Sequence, residues 1–484
     1  MAVLPLNVFG KIKGHRIFNV MAPLHIKVYH DNKVDEPADW AQFEAELKAV
    51  KAMGVEAVTV DVWWGDVQAK SKNQYDWSYY DRLLGNLEAN GLQFIPILSF
   101  HQCGGNINDN YTSLLPAWLW EDLAAKDPQR NANDFFYVSE EKEENGERKV
   151  SKEYIAHWAD EYAMPYYKAF MIAFKEHFAD KVHLMPEINV SLGPSGELRY
   201  PAYNAHDSGD FPNRGRLQCY SPLAVQHFRQ YIRSLYFDLD GINKAWSTQL
   251  TDIHHVTPPA DPEEFFTSGA YHSTTYGRDF IRWYHGSLVK HGHRMVDLAS
   301  EVFKDHGFEK PKIGIKVPGI HWQISNPKAP RTAEITAGLI NADENLFEEK
   351  GSVYLRALDQ LIPQERRDRV TLHFTCLEMN ELEDQKVRLP YSTPKRLVGQ
   401  VGRAALVLGI QLKGENALGF LLQDKSSWKN MRQALIQYPF QGITFLRIGE
   451  VAHAGSIGNR ELKKLIQKCR PAKRKGLGRF YFQE

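Results

Sequence analysis

Short apolar, β-branched runs alternate along this chain with longer runs of helical period. HIKVY (25–29) is the first strand candidate. A helix follows it. Asp39 lies three residues before Gln42, an N-cap spacing; Phe43, Leu47 and Val50 recur at i, i+4 and i+7, and Gly54 closes the pattern. VEAVTVDVWW (55–64) reads as the next strand, and the helical run SYYDRLLGNLEANG follows it. Further strand candidates are LQFIPILSF (92–100), VHLMPEINVSL (182–192), KIGIKV (312–317), RVTLHFTCL (369–377), IQLKG (410–414) and GITFLRI (442–448).

About eight strands separated by crossover-length helical runs predict an α/β protein with parallel strands, closed as a (β/α)8 TIM barrel. The surplus length falls after the third strand (about 102–158) and after the fourth (about 194–311), so a small lobe built from these two segments is expected. The resulting organisation is an N-terminal extension over 1–23, a barrel with its inserted lobe over 24–468, and a basic tail over 469–484. SEEKEENGERKV (139–150) reads as an exposed charged hairpin turning at Asn145-Gly146.

Composition narrows the function. With 59 basic and 59 acidic side chains among 484 residues, there is no net charge to favour nucleic acid or an anionic membrane, and neither is expected as a partner. No run of 18 apolar residues exists to span a bilayer. Lys11, Lys13 and Arg16 interrupt the N-terminal apolar stretch, which makes a poor signal peptide. A cytoplasmic location is expected, with secretion left open. Cys103, Cys219, Cys376 and Cys469 are widely spaced and read as reduced thiols.

In a barrel of this kind chemistry collects at the C-terminal strand ends. Those ends offer Asp61 before Trp63-Trp64, then His101, then Glu197 to Tyr200 beyond the fourth strand. Lys316 and His321-Trp322 follow from the fifth, Thr375 and Glu378 from the sixth, Glu415-Asn416 from the seventh and Arg447 from the eighth. With Trp118, Trp120, Tyr200 and Tyr203 nearby, this mixture of carboxylates, cations and aromatics suits carbohydrate: ring faces pack on indoles, and hydroxyls bond to polar groups. Glycoside hydrolysis needs two carboxyls, one protonated and one ionised, and Glu197 and Glu415 are the best pair. No GxSxG, HExxH or GxxxxGK[ST] motif is present, and His254-His255 and His321 are not spaced as metal ligands, so neither a metal nor a cofactor is expected.

VTVDVWWGDV (58–67), HQCGGNIND (101–109), GPSGELRYPAY (193–203), IKVPGIHWQ (315–323), FTCLEM (374–379) and GENAL (414–418) together resemble β-amylases. These are inverting exo-hydrolases that release β-maltose from the non-reducing ends of α-1,4-glucans. NKAW (243–246) leans toward the bacterial type, without its starch-binding domain. The resemblance implies Glu197 as general acid and Glu415 as general base. It implies a lid over 104–109 carrying Asp109, with Thr375 on a mobile inner segment. Asp61, His101, Lys316, His321, Trp322, Asn416, Ala417, Leu418 and Arg447 would contact an α-1,4-glucan substrate, the chain acting as a monomer. Three departures stand out. Asn108 replaces a usual lid glycine, which implies slower opening. Arg216 occupies a position often acidic or lysine. Gln68, Lys72 and Met164 stand where some bacterial relatives hold calcium, so no calcium is expected there. Two other readings stay open: a non-catalytic glucan-binding protein on this scaffold, and a retaining barrel glycosidase with carboxyls about 5–5.5 Å apart.

Overall fold

The computed structural model describes residues 16–26, 37–104, 109–202, 215–327, 329–346, 352–381 and 391–469. Its strands, in chain order, are β1 (Ile17–Met21), β2 (Ala57–Trp63), β3 (Gln93–Ser99), β4 (Tyr137–Lys142), β5 (Arg148–Ser151), β6 (Glu187–Val190), β7 (Lys312–Val317), β8 (Val370–Phe374), β9 (Gln411–Glu415) and β10 (Phe440–Phe445). Helices α1 (Pro37–Met53), α2 (Ser78–Ala89), α3 (Asp160–His177), α4 (Pro222–Tyr236), α5 (Thr275–Val302), α6 (Ser352–Leu361), α7 (Pro394–Leu408), α8 (Lys425–Gln437) and α9 (Ile457–Cys469) run between and after them. All strands but β4 and β5 pair in parallel into a closed barrel, in the order β1-β10-β9-β8-β7-β6-β3-β2. This is the expected (β/α)8 architecture.

Each strand has two unlike faces. Val58, Val60 and Val62 of β2 are buried in the apolar core, whereas Thr59 and Asp61 alternate with them. Where that second face meets the barrel axis, the interior is unusually polar. Lys413 Nζ of β9 lies 2.7 Å from Glu187 Oε2 of β6, and His373 Nε2 of β8 hydrogen-bonds Glu187 Oε1. Neither β8 nor β9 neighbours β6, so these bonds cross the inside of the barrel. Burial by itself raises the Glu187 carboxyl, but Lys413 and His373 outweigh it and hold the group down at about 2.

Two sequence expectations need correction at the N-terminus. The first strand is Ile17–Met21, inside the stretch set aside as an extension; it pairs with both β2 and β10 and closes the ring. His25 and Ile26 are not in a strand, and Lys27–Tyr29 lie outside the described residues. Asp39 sits in the first turn of α1, which begins at Pro37, so it does not cap that helix, while Gly54 does close it at φ 102°. The basic tail from Arg470 onward lies outside the described residues.

The segment after β3 carries the antiparallel β4–β5 hairpin, turning at Gly146 (φ 86°). This hairpin is not merely a solvated turn. Arg216 Nε reaches Glu141 Oε1 at 2.9 Å and its NH1 lies 3.6 Å from Glu140, so the two long segments are clasped together. Arg216 therefore has a structural reason: burial pushes Glu140 up to about 7, and Arg216 opposes that rise. Long α5 packs on α3 and α4 behind this region.

The seam between β1 and β10 is tight. A Cβ on Gly442 would lie 1.9 Å from the Ile17 carbonyl oxygen. Gly442→Ala should therefore cost about 1–3 kcal/mol of stability, read as a lower urea midpoint; an unchanged midpoint would contradict this seam.

Candidate active site

Beyond β6 the chain turns sharply through Pro194–Gly196, with Ser195 at φ 56° and Gly196 at φ 76°. Gly196 suits that conformation, and a Cβ there would sit 3.2 Å from the His101 ring. The turn delivers Glu197 in extended backbone alongside Lys316, with Leu198 N donating to the Lys316 carbonyl at 2.8 Å. Extended geometry puts residues i and i+2 on one side, so Arg199 follows Glu197 into the same space. Its Nε donates to Glu197 Oε2 at 3.0 Å and its NH2 to Ser195 Oγ at 2.9 Å. The guanidinium is 1% exposed, which makes it a fixed fork rather than a mobile surface charge. Burial pushes the Glu197 carboxyl above its ordinary value; Arg199 and Lys316 oppose this, and Glu415 adds to it.

Lys316 rises from β7 and places Nζ 2.7 Å from Glu415 Oε1 at the end of β9, across the intervening β8. Burial alone would lower this ammonium. Glu415, Glu197 and Asp61 reverse the effect and raise it. Asp61, at the end of β2, is buried and pushed up; Arg447 and Lys316 oppose that, as does Ser99, whose hydroxyl donates at 3.2 Å. Arg447 NH1 stands 3.7 Å from Asp61 Oδ2 and 3.3 Å from the Ala22 carbonyl. His101 completes this floor. Burial, then Lys316 and Arg199, lower its pKa to about 3, so the ring stays neutral, bonded through Nδ1 to Ser191 Oγ at 2.9 Å.

On the opposite wall, Thr375 Oγ1 accepts the Gly319 amide at 2.8 Å. Cys376 then takes φ 65°, a conformation rare outside glycine, and Glu378 turns inward beneath the loop after β9. Glu378 Oε1 accepts the Ala417 and Leu418 amides at 2.8 and 2.9 Å, while Oε2 is buried with no hydrogen-bond partner among the described residues. Burial pushes this carboxyl up to about 7, against those amide bonds and with help from Glu415. Asn416 ties the same loop to the end of β10: its Oδ1 accepts from Leu446 N at 2.9 Å and its Nδ2 donates to Leu446 O at 3.0 Å.

The strand ends therefore bring Asp61, His101, Glu197, Lys316, Thr375, Glu415, Asn416, Ala417, Leu418 and Arg447 to one end of the barrel. The Asn416 amide and the Ala417 and Leu418 N–H groups are already bonded within the protein. His321 and Trp322 lie in the loop beyond β7; their rings pack 4.9 Å apart, and His321 Nδ1 meets Ser392 Oγ. Of the lid, Gly104 and Asp109 are described and 105–108 are not; Asp109 lies near enough to Cys103 to help raise its thiol, after burial and Asp61. Tyr203 also lies outside the described residues.

Several aromatics expected to face sugar do not. Trp64 is buried in the outer core between Phe100, Tyr167 and Phe170, and Tyr200 is sealed against Tyr284 with ring centroids 3.9 Å apart. Trp118 and Trp120 pack against Trp64 and Phe136. At the positions aligned with calcium ligands, Gln68 Oε1 accepts from Trp64 Nε1 at 2.7 Å and Lys72 pairs with Asp122 at 2.9 Å. Arg199 and Glu378 were both visible in the motifs but were not singled out as site residues. The available signals were the charge two residues after Glu197 and a carboxylate in an otherwise apolar segment.

A family model described as glycosyl hydrolase family 14 matches residues 19–474. A thermophilic beta-amylase of Thermoanaerobacterium thermosulfurigenes is 34% identical over 441 residues, covering 90% of this chain and 72% of that protein. A Medicago sativa beta-amylase is 34% identical over 404 residues, covering 82% of this chain and 74% of its own. Among solved structures, the catalytic domain of beta-amylase from Paenibacillus polymyxa superposes with TM-score 0.79 at 32% identity, covering 94% of this chain and 99% of that one. A Bacillus circulans beta-galactosidase shares the fold alone, with TM-score 0.55 at 13% identity.

Glu378 titrates higher in the folded chain than its ordinary 4.5, so the stability it contributes is full below that value and is lost as pH rises through about 7. Between about pH 5 and pH 8 the melting temperature of Glu378→Gln should gain on that of the parent chain. A pH-independent difference between the two would show that the carboxyl is not held protonated.

Proposed function

The chain belongs to glycosyl hydrolase family 14, and on that footing we propose that it hydrolyses α-1,4-glucosidic bonds of starch-type glucans, releasing β-maltose from non-reducing ends, with Glu197 as general acid and Glu415 as general base. The observation that carries the residue assignment is the unequal treatment of the two carboxyls. Glu197 is pushed toward its protonated form by burial, while Glu415 is locked to the Lys316 ammonium at 2.7 Å. A carboxyl favoured in its protonated form facing a second one bonded to a cation is the arrangement that acid–base division of labour requires.

In this reading Glu197 delivers its proton to the glycosidic oxygen as the bond to the anomeric carbon breaks. Glu415 takes a proton from a water that attacks that carbon from the opposite face, so the released maltose carries the β configuration. Lys316 holds the Glu415 carboxylate in place through the 2.7 Å bond. Arg199 anchors the extended segment that aims Glu197. Asp61, His101 and Arg447 line the sugar-binding floor. His321 and Trp322 extend the site from the β7 loop, and Ala417 and Leu418 border it from the β9 loop. Thr375 steadies the inner wall, and Asp109 closes over the substrate with the lid. Water exclusion by such a lid strengthens every charge beneath it.

Glu197→Gln and Glu415→Gln should each cut kcat on maltopentaose by at least about a hundredfold with the fold intact. Proton NMR of the first product should show β-maltose, and an α-configured product would refute inversion. Arg199→Met removes a cation that lowers the Glu197 pKa. The alkaline limb of the kcat/KM profile should therefore move to higher pH; movement toward lower pH would remove Glu197 from the acid role.

A further inference from the structure

Away from the strand ends, a cavity of about 650 Å³ opens between the start of α3, the face of α4 and the later turns of α5. That volume falls within the range of small-molecule sites. None of the residues argued above to act on the glycosidic bond lines it.

The polar groups on its wall divide sharply into those already bonded and those not. Asp160, at the start of α3, accepts from His291 Nδ1 at 2.8 Å and from Arg294 Nε at 2.8 Å, so its carboxylate is spent. Lys168 pairs with Glu301 at 2.9 Å at an exposed surface, where such a pair is easily exchanged. Trp158 is 6% exposed, and its indole N–H has no hydrogen-bond partner among the described residues. His227 lines the same cavity. Trp283 Nε1 can only donate, and it does so to His227 Nδ1 at 2.8 Å, so the hydrogen of that imidazole must sit on Nε2. The unspent polar groups are thus donors, an indole N–H and an imidazole N–H; the cations beside them are each engaged, Arg294 with Asp160, Lys168 with Glu301, and Arg130 with Gln226 at 2.6 Å and Asp127 at 3.6 Å. Glu161 stands exposed at the rim, and Met164 and Leu298 supply an apolar wall.

The buried Trp158 donor is costly without an acceptor, and the exposed His227 donor together with cations in easily exchanged surface pairs favours an anionic one. We propose that this cavity is a second ligand site, separate from the catalytic one, which takes a small molecule bearing an oxyanion on a body of about sugar size. The oxyanion accepts from Trp158 Nε1 and His227 Nε2, with Lys168 and Arg294 beside it, and the body lies along Met164 and Leu298. The Trp158 ring packs at a tilt, 5.5 Å from Tyr200, three residues on from Glu197, so the site backs onto the segment that carries the proposed catalytic acid.

Isothermal titration of the full chain at constant ionic strength tests this, using glucose 6-phosphate, inorganic phosphate and citrate as separate probes. Saturable one-site binding of at least one probe is expected, weakened about tenfold or more by His227→Ala and by Lys168→Met, and measurably by Trp158→Phe. Each variant should keep its circular dichroism and its hydrolysis of maltopentaose. Tighter binding of glucose 6-phosphate than of citrate identifies a phosphate ester as the ligand chemistry, and the reverse order identifies a carboxylate. The proposal is overturned if no probe saturates, if the three variants bind as the parent does, or if saturating maltose displaces the probe, since that would place it in the catalytic site.

Discussion

One ammonium group organises the chemistry of this barrel. Lys316 stands on β7 with Glu415 bonded to it and with Glu197 and Asp61 close enough to raise its own pKa against the effect of burial. Three carboxyls crowded at one barrel end would otherwise repel each other and take up protons without distinction. A central cation breaks that symmetry. One carboxyl, Glu415, is bonded directly to it, whereas Glu197 is bonded to Arg199 and is pushed above its ordinary value by burial. The difference between the two glutamates thus lies in how each is shared with its cation, more than in their immediate sequence, since both follow glycine.

The same logic extends down the barrel. Glu187, His373 and Lys413 form a second charge group inside the ring, where most barrels carry apolar layers. A charged interior of this sort is stable only while every member keeps its partner. It leaves most of the apolar burial to the space between strands and helices, where Val58, Val62, Leu83 and Phe174 are found. The apolar outer faces are also why the strands could be recognised as short β-branched apolar runs.

How much was legible follows from these forces. Strands β2, β3 and β7 announced themselves because their outward residues must be branched and apolar. The (β/α)8 order followed from the spacing of the helical runs between them. β1 did not announce itself, because IFNVM is only five residues long and places Asn19 on its inner face, while HIKVY nearby offered a cleaner alternation. The carboxyl pair was readable because strand-end position and a glycine neighbour survive in one dimension. The aromatic assignments failed for the opposite reason: whether Trp64 faces a ligand or Phe170 depends on which side of β2 it leaves, and its helical turn sends it outward. Glu378 acts through amides about forty residues along the chain, and Arg199 through a carboxyl two residues back across a backbone bend, so the sequence marks both as charges at strand ends without showing what they hold.

The two amide bonds accepted by Glu378 have a mechanical meaning. They splice the segment bearing Thr375 to the loop bearing Ala417 and Leu418, and Asn416 splices that loop in turn to the end of β10. The inner wall behaves as a single bracket, and no part of it can shift alone. A displacement at Thr375 is passed through the bracket to the loop directly after Glu415. The wall facing one strand end and the carboxyl at its neighbour's end then move as one part.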